Sequence, residues 1–138
     1  MTEKTINICG HEIRMIYCAA TENAFERITG KSIAVFAPTV ERDEKGEPKI
    51  IEPAKATTED YISLAIASII AAYSYNEQDP PIDSKTILYE AMPEEVRLLF
   101  DTIIDLRNEW YHIPEIVEKE LKKEAEAKPD SKEEPVKN

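Results

Sequence analysis

The chain has 138 residues and a mass of 15.7 kDa, the size of one compact domain. Its 28 acidic and 17 basic residues give a net charge of −11, so a basic surface for nucleic acid is not expected. Two cysteines are too few for a disulfide scaffold, and the apolar run at residues 65–73 is about half the length of a bilayer span. The first residues lack the apolar block of a signal peptide, so a cytoplasmic protein is expected.

Residues 5–17 predict a β-hairpin, because apolar and polar side chains alternate with a period of two. Gly10 and His11 suit a two-residue turn of type II′, which has glycine at its first central position. The resulting register pairs Ile6 with Met15. It places the apolar residues of both strands on one face: Ile6, Ile8, Ile13, Met15 and Tyr17.

The next segment predicts a short helix followed by a long connection. Thr21 is expected to cap the helix at its start, and Gly30 is expected to end it. Residues 31–36 predict a short third strand or an extended connection. Residues 38–57 lose periodicity and are charged, which indicates a mobile loop, with residues 49–51 as the return strand of a loose hairpin.

Thr57 opens a strong helix start, because an acid follows it at the third helical position. The helix is expected to run to about Tyr73 and is apolar nearly all round. That pattern indicates either the central buried helix or one that also serves an interface.

A shorter helix is predicted from its cap at Asp83 through Glu90, with Ile87 and Leu88 facing inward. Pro93 then begins the clearest amphipathic helix of the chain.

That amphipathic helix is expected to break at residues 111–113, before Pro114 opens a final one. Residues 122–138 predict a charged, disordered tail. The fold class is therefore α+β and mainly α: one domain over residues 1–121, with an N-terminal hairpin and four or five helices.

Groups that carry catalysis are scarce in this sequence. His11 and His112 have no second histidine or cysteine at metal-ligand spacing, and Cys9 and Cys18 have no histidine that the sequence places beside them. Three glycines cannot build a phosphate-cradling loop. We therefore expect no enzyme, no catalytic residue, no metal and no cofactor.

Apolar and aromatic residues on the helices form the remaining candidate site. Each of them alone is explained by an ordinary core, but as a group they indicate a partner surface, because Trp and Tyr are frequent interface anchors. The residues predicted to contact a client or a second copy of the chain are Ile66, Ile70, Tyr73, Phe100, Trp110 and Tyr111.

The order of elements resembles the tail assembly chaperones of long-tailed bacteriophages and prophages. The resemblance is carried by the hairpin sequence INICGHEI at residues 6–13, by AFERITGKS at 24–32, by the acidic loop after it, and by the helical half that ends near EWY at 109–111. It covers roughly residues 5–114. It implies a small, helix-rich protein without enzymatic activity or cofactor, which keeps the tape measure protein soluble in the infected bacterium while the tail tube assembles.

Two other functions fit the composition. The first is an acidic mimic that occupies the nucleic-acid site of a host protein, for which the eleven acids of residues 58–114 would form a regular stripe. The second is a cytosolic adaptor with no link to phages. Neither involves direct binding to nucleic acid or to a membrane.

Overall fold

The computed structural model describes residues 2–112 and confirms the α+β, mainly α fold class. The strands and α-helices are β1 (Thr2–Ile8), β2 (His11–Tyr17), α1 (Ala19–Thr29), β3 (Thr39–Arg42), β4 (Pro48–Glu52), α2 (Thr58–Ser74), α3 (Ser84–Glu90) and α4 (Pro93–Tyr111). The described residues form two compact units, the first made of residues 2–34 and 56–112 and the second of residues 35–55. The predicted helix from Pro114 and the predicted tail at 122–138 lie outside the described residues.

The N-terminal hairpin has the predicted apolar face but a different turn. Cys9 and Gly10 are its central residues, with φ angles of 51° and 79°, whereas Gly10 and His11 were the predicted pair. Positive φ at both central residues is the requirement of a type I′ turn. Ile6 consequently pairs with Ile13 instead of Met15. The observed pairing differs from the predicted one by two residues, and a shift of two keeps every side chain on the same face of the hairpin. The predicted apolar face is therefore confirmed, and its residues are buried.

Helix α1 begins earlier than predicted. Its N-cap is Cys18, and Thr21 lies at the third helical position, where it is buried and its hydroxyl donates a hydrogen bond of 2.9 Å to the carbonyl of Ile16. The predicted end at Gly30 is confirmed, with φ at 73° and the backbone N–H donating to the carbonyl of Glu26.

Helix α2 is the central helix of the first unit, and it contacts α1, α4 and β2. Its predicted start is confirmed: the Thr57 hydroxyl accepts from the Asp60 N–H at 3.2 Å, and the Asp60 carboxylate accepts from the Thr57 N–H at 2.9 Å. At this end Lys31, just after α1, donates to Asp60 at 2.7 Å. At the other end Cys18 packs against the cluster that contains Ala72, so α1 and α2 are antiparallel.

Helix α4 runs antiparallel to β1. The Thr2 hydroxyl donates to the Leu106 carbonyl at 3.3 Å near the end of α4, and the Cys9 N–H donates to the Glu95 carboxylate at 2.6 Å near its start. The start at Pro93 is confirmed. The buried side chains of this helix, Leu99 and Ile103 among them, therefore belong to the same core as the hairpin.

The second unit contains an antiparallel hairpin where the sequence indicated a mainly aperiodic loop. Strands β3 and β4 pair Val40 with Ile50, which confirms the predicted return strand at residues 49–51. The Asp43 carboxylate fixes the turn by accepting from the N–H groups of Lys45 and Glu47, each at 2.9 Å. Both strands are largely exposed, so no alternating apolar pattern marked them in the sequence.

Residues 31–36 are neither a strand nor an extended connection throughout, because Ile33–Phe36 form a 3₁₀ helix. Among the described residues, no helix combines the length and apolar character needed to cross a bilayer.

Candidate functional site

An apolar groove of about 360 Å³ lies between α1, α2 and α3. Its apolar lining comes from Ile28 on α1, from Ile62, Ile66 and Ile70 on α2, and from Leu88 on α3. Its polar lining consists of Thr58, Glu59, Ser63 and Ser84. We refer to these nine residues as the apolar groove.

The three isoleucines of α2 follow one another at intervals of four residues, which places them on one face along about 12 Å of helix. Ile66 is only 8% exposed and lies deepest. At the edges Ile28 is 48% exposed and Leu88 is 61% exposed. A face of α2 that the first unit leaves incompletely covered thus forms the groove. That this helix also serves an interface stays a prediction.

Leu88 corrects the prediction that Ile87 and Leu88 both face inward. Ile87 is buried, but Leu88 and the next residue, Tyr89, are exposed, Tyr89 to 82%. Consecutive helical residues point about 100° apart, so Ile87, Leu88 and Tyr89 on this seven-residue helix cannot all face the same core. That run of three apolar residues was the signal in the sequence for an exposed apolar edge at α3.

Trp110 and Tyr111 belong to a different surface, which we call the aromatic cluster: Tyr17, Glu22, Arg107, Trp110 and Tyr111. The ring of the fully buried Tyr17 lies 6.4 Å from Trp110 and 6.3 Å from Tyr111. The Arg107 guanidinium stacks 4.9 Å from the Tyr111 ring.

Glu22 ties the aromatic cluster together. One oxygen of its carboxylate accepts from the Tyr17 hydroxyl at 2.9 Å and also from the Tyr111 hydroxyl. Burial, together with this hydrogen bond, raises the pKa of Tyr111 to about 12 and raises that of Tyr17 as well. The hydroxyl groups of both tyrosines are therefore hydrogen-bonded to a residue of the same chain.

Tyr73 and Phe100 also make internal contacts. The Tyr73 hydroxyl accepts from the Arg14 N–H at 3.1 Å, and the Arg14 guanidinium lies 5.2 Å from the Tyr73 ring. The Phe100 ring lies 5.0 Å from that of Tyr61. Of the six predicted contact residues, only Ile66 and Ile70 line the groove. Sequence reasoning missed Ile28, Ile62 and Leu88.

Three of the eleven acids of residues 58–114 have local structural roles. Hydrogen bonds from Lys31 and from the Thr57 N–H lower the pKa of Asp60, and the Thr86 N–H lowers that of Asp83. The Glu95 carboxylate accepts from the N–H groups of Met92 and Cys9, which lowers its pKa. These acids cap helices or join elements of the fold.

The residues with catalytic potential are dispersed. No group of three His, Cys, Asp or Glu residues within residues 2–112 is placed to hold a metal ion. Cys9 and Cys18 are free thiols, and desolvation with nearby Glu95 raises the pKa of Cys9, the opposite of what activates a nucleophile. His11 opens β2 and His112 ends α4.

Comparison with protein-family models, with curated proteins and with solved structures finds no match to this chain.

Proposed function

We propose that this chain is a non-catalytic binding protein whose apolar groove takes a helical segment of another protein, and that it acts as a phage tail assembly chaperone. Its client is then the tape measure protein, which it keeps soluble in the cytoplasm of the infected bacterium. The observation that carries the proposal is the groove itself: apolar side chains from three helices that remain accessible beside an exposed α3.

An amphipathic helix binds such a groove by inserting side chains spaced at three and four residues. The isoleucines of α2 present the matching spacing, and the groove volume is suited to a few inserted side chains. Covering Ile28 and Leu88 removes apolar area from water, which contributes about 25 cal/mol per Å² before the costs of association. The same surface favours a client that is itself poorly soluble when alone.

The charge of the chain supports this role. A net charge of −11 on 138 residues keeps a complex that carries many copies of the protein from aggregating. Among the described residues that line the groove, only Glu59 is charged. Apolar binding and charge-based solubility are thus provided by different residues.

Co-expression with the tape measure protein encoded in the same genome tests the proposal. The wild-type chain should keep a long apolar fragment of that protein in the soluble fraction and should co-purify with it. Leu88→Asp places a charge at the groove edge and should return the fragment to the pellet. Leu98→Asp is the matched control, because Leu98 is also an exposed helical leucine but lies outside the groove.

A fragment that stays insoluble with the wild-type chain would contradict the proposal, as would equal effects of the two leucine variants. Salt-sensitive co-purification of a basic host nuclease would instead favour the acidic mimic. The structural roles of Asp60, Asp83 and Glu95 weigh against that function, because caps are placed by helix starts and not along a regular stripe. A host partner without any tail gene nearby would favour the adaptor.

A further inference from the structure

We propose that the segment that fits the apolar groove is an amphipathic helix with a lysine or arginine in its last turn, bound antiparallel to α2 and with its basic side chain next to Glu59. This inference rests on the proposed function and specifies the class of its client.

The groove changes character along α2. On α2, the polar lining residues Thr58, Glu59 and Ser63 all lie at the N-terminal part of the helix, where Ile62 also lines the groove. Further along, the lining from α2 consists of Ile66 and Ile70. The distance from residue 58 to residue 70 is about 18 Å along the axis, which corresponds to twelve residues of a bound helix. A bound segment therefore meets apolar side chains over most of its length and one carboxylate at one end.

Glu59 is available for that contact. It is exposed, and no ion pair joins it to another residue of the described range. Lys31 is held chiefly by the neighbouring Asp60, with its ammonium 2.7 Å from the Asp60 carboxylate, and Glu59 makes a smaller contribution to the raised pKa of that lysine. A basic side chain on the client would complement Glu59, and an acidic one would be repelled.

The direction of the bound helix follows from its dipole. A helix antiparallel to α2 places its own C-terminus, the negative end of its macrodipole, at the N-terminal end of α2. A lysine or arginine in the last turn is favoured by that dipole and then faces Glu59 as well. Antiparallel binding therefore places the basic residue in the turn where its own helix favours it, and its full positive charge exceeds the roughly half negative charge of that helix end beside Glu59. Parallel binding would place it in the first turn, where the dipole disfavours a cation.

Two labelled synthetic peptides of about fourteen residues, enough to cover the groove, test the inference by fluorescence anisotropy. Both carry leucines at i, i+4 and i+7 on a helix-forming background. One has lysine a turn after the last leucine, and the other has glutamate there. The wild-type chain should bind the lysine peptide about fivefold more tightly at low salt, and the ratio should approach one as salt screens the contact.

Glu59→Gln should remove the preference between the peptides while leaving their apolar contribution in place. Glu94→Gln is the matched control, because Glu94 is likewise an exposed acid at the second position of a helix but does not line the groove. This variant should keep the fivefold preference.

Equal binding of the two peptides to the wild-type chain, or a preference that survives Glu59→Gln, overturns this inference. Weak binding of both peptides overturns it too, together with the groove as a helix site. Failure of the proposed function is a separate result, because it is scored by whether the tape measure fragment is soluble and not by which peptide is preferred.

Discussion

The apolar groove and the aromatic cluster contain the residue types that favour interfaces, yet the fold uses them differently. In the aromatic cluster, the Glu22 carboxylate accepts hydrogen bonds from the hydroxyls of Tyr17 and Tyr111. The Arg107 guanidinium stacks on the Tyr111 ring. In the apolar groove, Ile28 and Leu88 keep about half or more of their surface exposed. An aromatic residue is thus weak evidence for an interface when its polar end is bonded within the chain.

This difference separates stability from binding. The aromatic cluster joins the start of α1 to the end of α4, so changes there should weaken the fold. The edge of the groove contributes little to the fold, so changes there should act on the client. Three variants test that separation, and a fourth, at the buried Asp60, gives a reference for a structural site outside both regions.

Tyr17→Ala should have the largest effect on stability. It removes a fully buried ring and two ring contacts, and should lower the free energy of unfolding by about 3–5 kcal/mol. Urea unfolding followed by circular dichroism measures the change. A loss below about 1 kcal/mol, the range of an ordinary surface substitution, would mean that the aromatic cluster is not structural.

Asp60→Asn should lower the free energy of unfolding by about 1–3 kcal/mol, because it weakens the bond from Lys31 and the cap at Thr57. The pKa of Asp60 is lowered in the fold, so its contribution is complete above the unfolded pKa of about 4 and is lost as pH falls through the folded value. Urea unfolding of both proteins at several pH values should therefore show the difference shrinking below about pH 4. A difference that grows on acidification would contradict this role for Asp60.

Tyr111→Phe removes one of the two hydroxyls bound to Glu22 and should cost about 0.5–1 kcal/mol, because the ring contacts remain. The raised pKa of Tyr111, about 12, means that its contribution is complete below the unfolded pKa of about 10 and is lost as pH rises toward the folded value. Unfolding measured between neutral pH and pH 11 should show a smaller alkaline loss in the variant. Equal losses of stability at alkaline pH in the two proteins would contradict a stabilising hydrogen bond between the Tyr111 hydroxyl and Glu22.

Leu88→Asp should have the smallest effect on stability, within about 0.5 kcal/mol, since the side chain is 61% exposed. Its thermal unfolding should match that of Leu98→Asp. A large loss of stability would show that Leu88 is a core residue, and any loss of client binding would then have to be attributed to unfolding.

Local chemistry made much of this fold predictable from sequence. Thr57 with an acid three residues later defines a helix start, and Pro93 defines another. Alternation gave the buried face of the hairpin but not its register, since a two-residue slip preserves the face. The turn was missed because Cys9 adopts positive φ, which is uncommon for a residue other than glycine.

The candidate site was less predictable, because it depends on tertiary contacts. Ile66 and Ile70 line the groove, and their contact with a client stays a prediction. Ile28 and Leu88 come from helices that are distant in sequence. Periodicity within one helix says which residues share a face, but not which neighbouring helix leaves that face uncovered.

Methyl NMR of the isoleucines, compared between the labelled chain alone and its co-purified complex with the tape measure fragment, tests the central claim most directly. Binding in the groove predicts shifts or broadening at Ile28, Ile62, Ile66 and Ile70, while Ile13, a buried residue of strand β2, stays unchanged. A bound fragment that leaves the four groove methyls unchanged would contradict the claim that this surface holds the client.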